Sequence, residues 1–289
     1  MNQAYLIQAH AGEKQLIKLI NVLLDSDTDI FIHIDKKNDN LYYSLMNVNK
    51  KQSNIYFIKD RESVNWSGLS QVKATLKLMQ AANSTNKQYD YISLISGQDY
   101  PIKSKKYIKK FLEANIGTEF IECNDIGKYF WRLKCYNFFR ENPNNRKPFI
   151  KILDNIIRLP QKLIFRRKNL QNTKLYYGSQ WFTITYKCMQ YILNYLKNNP
   201  EYLDNFKYTA CADEHFFQII IMNSNFKYKV ANNNLRYIKW VSKSNSPEIL
   251  TCNELNEIVN SDKLIARKFD FETDQKIIDY IDKYIIFEG

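Results

Sequence analysis

Apolar residues along this chain follow two rhythms. Short unbroken runs lie within 4–9, in Ile30-Phe31-Ile32-His33-Ile34, in Ile55-Tyr56-Phe57-Ile58 and in Tyr91-Ile92-Ser93-Leu94-Ile95, the pattern of strands covered on both faces. Between them the spacing lengthens. Over 13–24, Leu16, Ile17, Leu19, Ile20, Leu23 and Leu24 recur at helical intervals, and over 70–82 Val72, Leu76 and Met79 do the same. Strand, helix, strand, polar segment, strand, helix, strand is the opening of a parallel α/β sheet. Pro101 is expected to end the fourth run, 105–112 to form a short helix and 119–121 a further strand. Downstream, 178–185 reads as a strand and 186–198 and 213–223 as helices, the second opened by Asp213 and Glu214; the tail from 274 is helical again. No repeat and no linker interrupts the chain, so the expectation is one domain, 1–289, of α/β class with a mostly parallel central sheet flanked by helices.

The rhythm changes at 146–168. Arg146, Lys147, Lys151, Arg158, Lys162, Arg166, Arg167 and Lys168 alternate there with Phe149, Ile150, Ile152, Leu153, Ile156, Ile157, Leu159, Leu163, Ile164 and Phe165. A basic helix with a broad apolar face and no spanning length lies in a bilayer interface, drawn to anionic lipid. The alternative is a helix packed on the domain with snorkelling lysines. Pro148 and Pro160 are expected to bound a helix of about ten residues.

Composition narrows the class. A chain of 289 residues can bury a full core, and seven Gly and six Pro exclude collagenous or low-complexity structure. No apolar run approaches the roughly 18 residues of a spanning helix. The start, Met1-Asn2-Gln3, shows neither a basic region nor a cleavage site, so no export signal is expected. The five cysteines, Cys123, Cys135, Cys188, Cys211 and Cys252, fit no zinc spacing and suit a reducing compartment. Lys plus Arg at 42 against Asp plus Glu at 30 gives +12, which attracts nucleic acid, anionic lipid or nucleotide phosphates. The cations are spread along the chain apart from one dense stretch, so a nucleic-acid-binding protein is the alternative and not the leading reading. Asp25, Asp27 and Asp29 alternate, but Ile30 and Lys36 stand where a calcium loop needs Gly and Glu. His10, His33 and His215 are scattered, and neither HExxH, GxGxxG nor a Walker loop occurs. No metal ligands are assigned.

Polar residues gather where the predicted strands end: Gln8 and His10, Asp35 and Lys36, 60–67, and 96–99. Open α/β sheets bind ligands at that edge. The strings there are Ala4-Tyr5-Leu6-Ile7 with His10, Phe31-Ile32-His33-Ile34-Asp35-Lys36-Lys37, Val64-Asn65-Trp66-Ser67-Gly68-Leu69-Ser70 and Leu94-Ile95-Ser96-Gly97-Gln98-Asp99-Tyr100-Pro101-Ile102. Gly178-Ser179-Gln180-Trp181-Phe182, Asp213-Glu214-His215-Phe216-Phe217 and Ala266-Arg267-Lys268-Phe269-Asp270 follow in order. Together they resemble the core-2/I-branching family of β-1,6-N-acetylglucosaminyltransferases, glycosyltransferase family 14, which also holds peptide O-xylosyltransferases. The resemblance runs from residue 4 to about 270. It implies a GT-A fold, an inverting reaction, a UDP-sugar donor and no divalent metal or other cofactor.

An inverting transfer is a single displacement, needing a base for the acceptor hydroxyl and positive charge for the departing diphosphate. By its match to the family's Asp-Glu motif, Glu214 is the candidate base, with Asp213 left to cap the helix; the structural alternative is that both acids cap it. Lys268 matches the family's diphosphate-binding lysine. The second cation has no clear counterpart, and Arg267, Lys243 and Arg236 remain options. If a metal were required, Asp99 would be the first ligand to test. For the nucleotide, Gln8, His10 and Asp35 are candidates by position, with Ser63, Val64 and Trp66 closing over it. Asp99, Arg132, Trp181 and Trp240 are candidates for the glycan or lipid-linked acceptor. The donor sugar is read as N-acetylglucosamine, with xylose next. The relatives' anchor and stem have no counterpart here, so the expectation is a bacterial enzyme of surface polysaccharide synthesis, cytoplasmic or peripheral on the inner face of the plasma membrane. A non-catalytic carbohydrate-binding relative is a further alternative.

Overall fold

In the computed structural model, residues 1–49, 52–145, 147–163, 167–241 and 246–287 are described. β1 (Gln3–Ala9), α1 (Glu13–Leu23), β2 (Thr28–Ile34), α2 (Asp39–Val48), β3 (Ile55–Phe57), α3 (Leu69–Ser84) and β4 (Tyr91–Ser96) alternate through the first third. Next come β5 (Asp99–Pro101), α4 (Lys105–Ala114), β6 (Asn124–Asp125), α5 (Phe130–Lys134), α6 (Pro148–Leu163), β7 (Tyr176–Tyr177), β8 (Phe182–Thr185), α7 (Tyr186–Asn198) and α8 (Phe216–Met222). β9 (Arg236–Ile238), α9 (Leu255–Asn260), β10 (Ile265–Arg267) and α10 (Gln275–Ile281) complete the chain.

The central sheet has the order β3-β2-β1-β4-β8. β3, β2, β1 and β4 run parallel and β8 antiparallel to β4. The α/β architecture expected from the apolar pattern is therefore present, a mostly parallel sheet flanked by helices. Alternate residues of one strand feed two cores: Ala4 and Leu6 pack with α3, α7 and α8, while Tyr5 and Ile7 pack with α1, α2, α4 and α10. Covering both faces forces every residue of β2 to be buried, which is why these strands read as runs and not as alternations. Among the described residues no helix is long and apolar enough to cross a membrane.

Several expectations need correction. The polar stretch after β2 is the helix α2, whose buried Leu41, Tyr42 and Leu45 form a stripe too short to stand out among Asn and Asp. Pro101 does not stop a strand; it sits in β5, at the edge of a small sheet of order β5-β10-β9, where a missing N–H is tolerated. Residues 119 and 120 form only isolated bridges, to Val230 and Thr183. Within 178–185 only Phe182–Thr185 joins the central sheet. α8 begins at Phe216, and Asp213 and Glu214 lie in a tight 3₁₀ turn ahead of it. α6 continues through Pro160, whose exposed position opens the freed carbonyl to solvent. The alternating aspartates lie at ammonium groups: Lys109 reaches Asp25 at 3.0 Å and Asp27 at 3.2 Å, and Lys87 reaches Asp29 at 2.9 Å.

The small sheet is fastened to the large one by buried ions. Arg236 donates through Nη2 to the carbonyls of Leu94 at 3.0 Å and Phe182 at 2.9 Å, and through Nη1 to Thr183 Oγ1 at 3.0 Å and to the Asn234 carbonyl. Burial pushes this guanidinium down to about 10, against the pull of Asp99. Arg267 meets Asp99 at 3.1 Å and stacks on Trp181 at 4.4 Å. Asp99 is fully buried and also accepts the Ser96 N–H at 3.1 Å. Asp99, Arg236 and Trp181 are therefore buried and Arg267 partly so: Arg267 turns to Asp99 and Trp181, and Arg236 to main-chain carbonyls and Thr183, where the sequence led to an expectation of ligand contacts.

Removing one partner of such a pair leaves a buried charge uncompensated. Arg267→Ala is expected to cost about 3–5 kcal/mol of unfolding free energy, read from urea denaturation. Unchanged stability with weakened nucleotide binding would return Arg267 to the crevice.

Candidate active site at the carboxyl ends of the strands

β1, β2 and β4 end at one edge, and the loops leaving them wall a crevice. At the end of β2, His33 Nε2 accepts the Glu62 N–H at 2.8 Å. Burial pushes this imidazole down to about 4, so near neutrality it is the uncharged form that can accept. Asp35 accepts the backbone N–H of Lys37 at 3.0 Å and of Val64 at 3.4 Å. Lys37 Nζ lies 3.3 Å from the second Asp35 oxygen and donates to the Val64 carbonyl at 2.5 Å. The 60–67 loop is thus held down by strand-end side chains, with Ser63 and Trp66 exposed along it and Val64 half-buried.

The far end of this loop reaches the acid pair. Cys211 donates its N–H to Ser67 Oγ at 2.9 Å and to the Ser67 carbonyl at 3.0 Å. The 3₁₀ turn Ala212–Glu214 follows directly. From the other side Gly178 donates its N–H to the Glu214 carbonyl at 2.9 Å. A Cβ on Gly178 would lie 1.7 Å from the Glu122 carbonyl oxygen, so only glycine fits there.

Glu214 is partly exposed and paired with Arg132, whose guanidinium also stacks 4.1 Å from the Tyr129 ring. Burial pushes the Glu214 carboxyl upward while Arg132 pulls it down. Asp213 is buried deeper, and burial first, then the charge of Glu214, raises it well above the carboxylate range. Its Oδ1 has no hydrogen-bond partner, and α8 has no side-chain cap. Asp213 therefore does not cap the helix as expected; its buried setting favours the neutral acid. His215 places Nδ1 2.9 Å from the Tyr176 carbonyl, with Nε2 buried and unpartnered.

A cationic corner stands at the strand ends. His10 is exposed at the mouth of the crevice after β1. Its imidazole is lowered first by desolvation against the walls and further by Lys268 and Lys37, while Asp35 raises it; these four side chains share one electrostatic neighbourhood. Lys268 is fixed through its backbone. Its carbonyl accepts the Leu250 N–H at 2.8 Å, the next N–H, of Phe269, reaches the Gln98 carbonyl at 2.8 Å, and buried Gln15 bridges the carbonyls of Gly97 at 3.1 Å and Phe269 at 3.3 Å.

Of the residues singled out in the sequence, His10, Asp35, Val64 and Lys268 gather at this corner, and Glu214 and Arg132 pair with each other. Arg132 is paired through Nη1 with Glu214, and its Nε is buried without a hydrogen-bond partner. Gln8 is a brace: its amide donates to the Gln71 carbonyl at 3.1 Å and to Thr75 Oγ1 at 2.7 Å, and accepts from Gln180 at 3.1 Å. Trp240 is exposed beyond β9, and Lys243 lies outside the described residues. Lys37 went unassigned in the sequence, although it stands in the Asp35-Lys36-Lys37 string. So did Glu141, which accepts the Ser70 N–H at 2.8 Å at the start of α3 and binds the side chain of Asn65; nothing local in the sequence marks it, since its partners are far away along the chain.

The family model for the Core-2/I-Branching enzyme matches residues 3–263. The chain belongs to this family of glycosyltransferases. The xylosyltransferase oxt of Drosophila pseudoobscura pseudoobscura is 24% identical over 233 residues, 80% of this chain. Xylosyltransferase 1 of Homo sapiens is 22% identical over 306 residues, 98% of this chain. The chain spans 25% of the length of the first and 30% of the second. Among solved structures, mouse xyloside xylosyltransferase 1 in its apo form aligns with a TM-score of 0.33 and 10% identity, over 78% of this chain and 83% of that one.

The opposing effects on Glu214 can be separated. Carboxyl-detected NMR is expected to show Glu214 titrating above an ordinary glutamate, and higher still in Arg132→Ala, because that substitution deletes the charge that lowers it. A downward move in the variant would break the assigned pairing.

Proposed function

We propose that this chain is an inverting glycosyltransferase moving a sugar from a UDP-sugar to an acceptor hydroxyl, with Glu214 as the base. What supports this reading is the family match together with a partly exposed carboxylate, raised by burial, and a corner at the strand ends where Lys268, Lys37 and Asp35 act on His10. In a single displacement the base takes the acceptor proton as its oxygen attacks the anomeric carbon, and the sugar–phosphate bond breaks on the opposite side. Negative charge then accumulates on the diphosphate, where a fixed ammonium stabilises it. In this reading Lys268 meets the diphosphate, with Lys37 and His10 alongside in place of Arg267 and Arg236. Metal-free chemistry follows from the same assignment.

Arg132 holds the Glu214 carboxylate in one orientation and keeps it ionised until an acceptor arrives. Asp35, Val64 and Trp66 make the nucleotide end, where backbone groups of the 60–67 loop face a uracil or ribose. The relatives named as xylosyltransferases favour a xylose donor, and the family's description as a branching enzyme favours N-acetylglucosamine; a bacterial surface glycan is the acceptor class proposed. For Trp240, its exposure supports an acceptor contact.

The test is UDP release from a panel of UDP-sugars, with and without EDTA, beside thermal shifts with UDP, GDP, dTDP and CMP. UDP is expected to raise the melting temperature with or without chelator. Glu214→Gln is expected to lower turnover by about 10²- to 10⁴-fold with UDP binding kept, whereas Lys268→Ala weakens UDP binding. An active Glu214→Gln enzyme removes the base assignment, and activity abolished by EDTA and restored by Mn²⁺ removes the metal-free one.

A further inference from the structure

α6 is mounted the wrong way round for a helix of a water-soluble domain. A surface helix ordinarily turns its apolar stripe to the core and its charges to solvent. Here the polar face points inward. Asp154 is buried and accepts from Arg140 Nη2 at 2.9 Å. Arg158 stacks 4.0 Å from the Trp131 ring, and Gln161 brackets the main chain of Tyr136, accepting its N–H at 2.7 Å and donating to its carbonyl at 3.2 Å. The apolar stripe is left outside: Phe149 is 61% exposed, Ile152 59%, Leu153 40%, Ile156 63% and Leu159 62%. A contiguous apolar surface of this kind marks an interaction site.

The surface extends past the carboxyl end of the helix. Tyr136, held there by Gln161, stacks on Phe138 at 5.6 Å, and Tyr208 closes against Phe138 at 5.3 Å. All three rings are exposed. Lys147 and Lys151 are exposed at the amino-terminal end of the helix, and Lys168 is exposed beside Tyr136 in a groove it shares with Glu201 and Asp204. Arg158 and Arg167, counted among the cations of the 146–168 segment, do not contribute: both turn inward, Arg158 over the Trp131 ring and Arg167 donating to Thr209 Oγ1 at 3.2 Å and the Asn205 carbonyl at 3.1 Å.

We propose that α6 and the Tyr136, Phe138 and Tyr208 cluster form a docking face for an anionic lipid bilayer, with the helix lying in the interface plane. Apolar side chains ringed by lysines suit a bilayer, whose hydrocarbon takes the stripe while its phosphates meet the ammonium groups; at protein interfaces lysine is depleted. Tyrosine, an apolar ring with a polar tip, is enriched at the level of lipid headgroups. The chain's excess of 42 cationic over 30 anionic side chains acts in the same direction. The face adjoins the crevice: Asn145, just before α6, donates to the Trp66 carbonyl at 2.8 Å, and Trp131, under Arg158, precedes Arg132 in α5. Resting on the transferase reading above, this placement makes the acceptor a hydroxyl carried on a membrane-embedded lipid.

The test is co-sedimentation of the full chain with phosphatidylcholine vesicles containing about 30 mol% phosphatidylglycerol, with no sugar substrate present. Binding is expected to exceed that to pure phosphatidylcholine. Ile152→Ser with Ile156→Ser should weaken it by at least about tenfold, and Lys147→Glu or Lys151→Glu by about fivefold each, with melting temperatures kept. Ile156→Trp should gain fluorescence that brominated acyl chains quench. Vesicle binding unaffected by the serine pair, or an unquenched tryptophan, overturns the proposal. So does a dimer in sedimentation velocity that dissolves in the serine variant while wild type ignores vesicles, which would give the face to a second copy. If the transferase reading fails instead, the UDP thermal shift disappears while vesicle binding stays.

Discussion

The crevice depends on a set of buried charges behind it. Asp99 lies within the protein, paired with Arg267, while Arg236 spans from the small sheet to carbonyls of β4 and β8. Such groups are costly to bury alone and tolerable only together. With Arg267 held against Asp99 at the end of β10, the next residue, Lys268, follows directly and acts on His10.

The acid pair follows a similar logic with weaker forces. Glu214 is fixed from one side by the Ser67–Cys211 contacts and from the other by Gly178, whose missing side chain lets the 176–181 segment pass under the Glu122 carbonyl. Burial raises both carboxyls, Asp213 further through the charge of Glu214, while Arg132 draws Glu214 down. Adjacent acids in a buried turn cannot both ionise cheaply, and a guanidinium beside the more exposed of the two favours its charged form. The same α5 that supplies Arg132 also supports α6 through Trp131, so the position of the acid and the attitude of the exposed apolar helix are mechanically linked.

Much of the fold was legible in the chain because burial on both faces leaves a direct record. β1, β2, β4, α1 and α3 form where apolar runs and helical spacing put them. The misses have physical causes. α2 buries only a short stripe among residues that equally suit a loop, Pro101 sits on a sheet edge where proline does no harm, and Pro160 lies on the exposed side of its helix. Within the site, Lys268 and Asp35 were singled out by their strings, whereas the interior partners of Gln8, Asp99, Arg267 and Trp181 were not legible, because a polar or aromatic residue at a strand end serves ligand or interior equally well.

What the sequence alone determined is the alternation of strand and helix, the edge at which functional groups gather and the family to which their order belongs. Those properties are local or ordered along the chain, set by periodic burial and by short strings. Which cation faces the crevice, which acid meets a guanidinium and which side of α6 meets solvent were decided only in three dimensions. Each turns on a partner distant in sequence: Asp99 for Arg267, Arg132 for Glu214, Arg140 for Asp154. An ion pair's free energy depends on the separation and burial of both members, and neither quantity exists until the chain has folded.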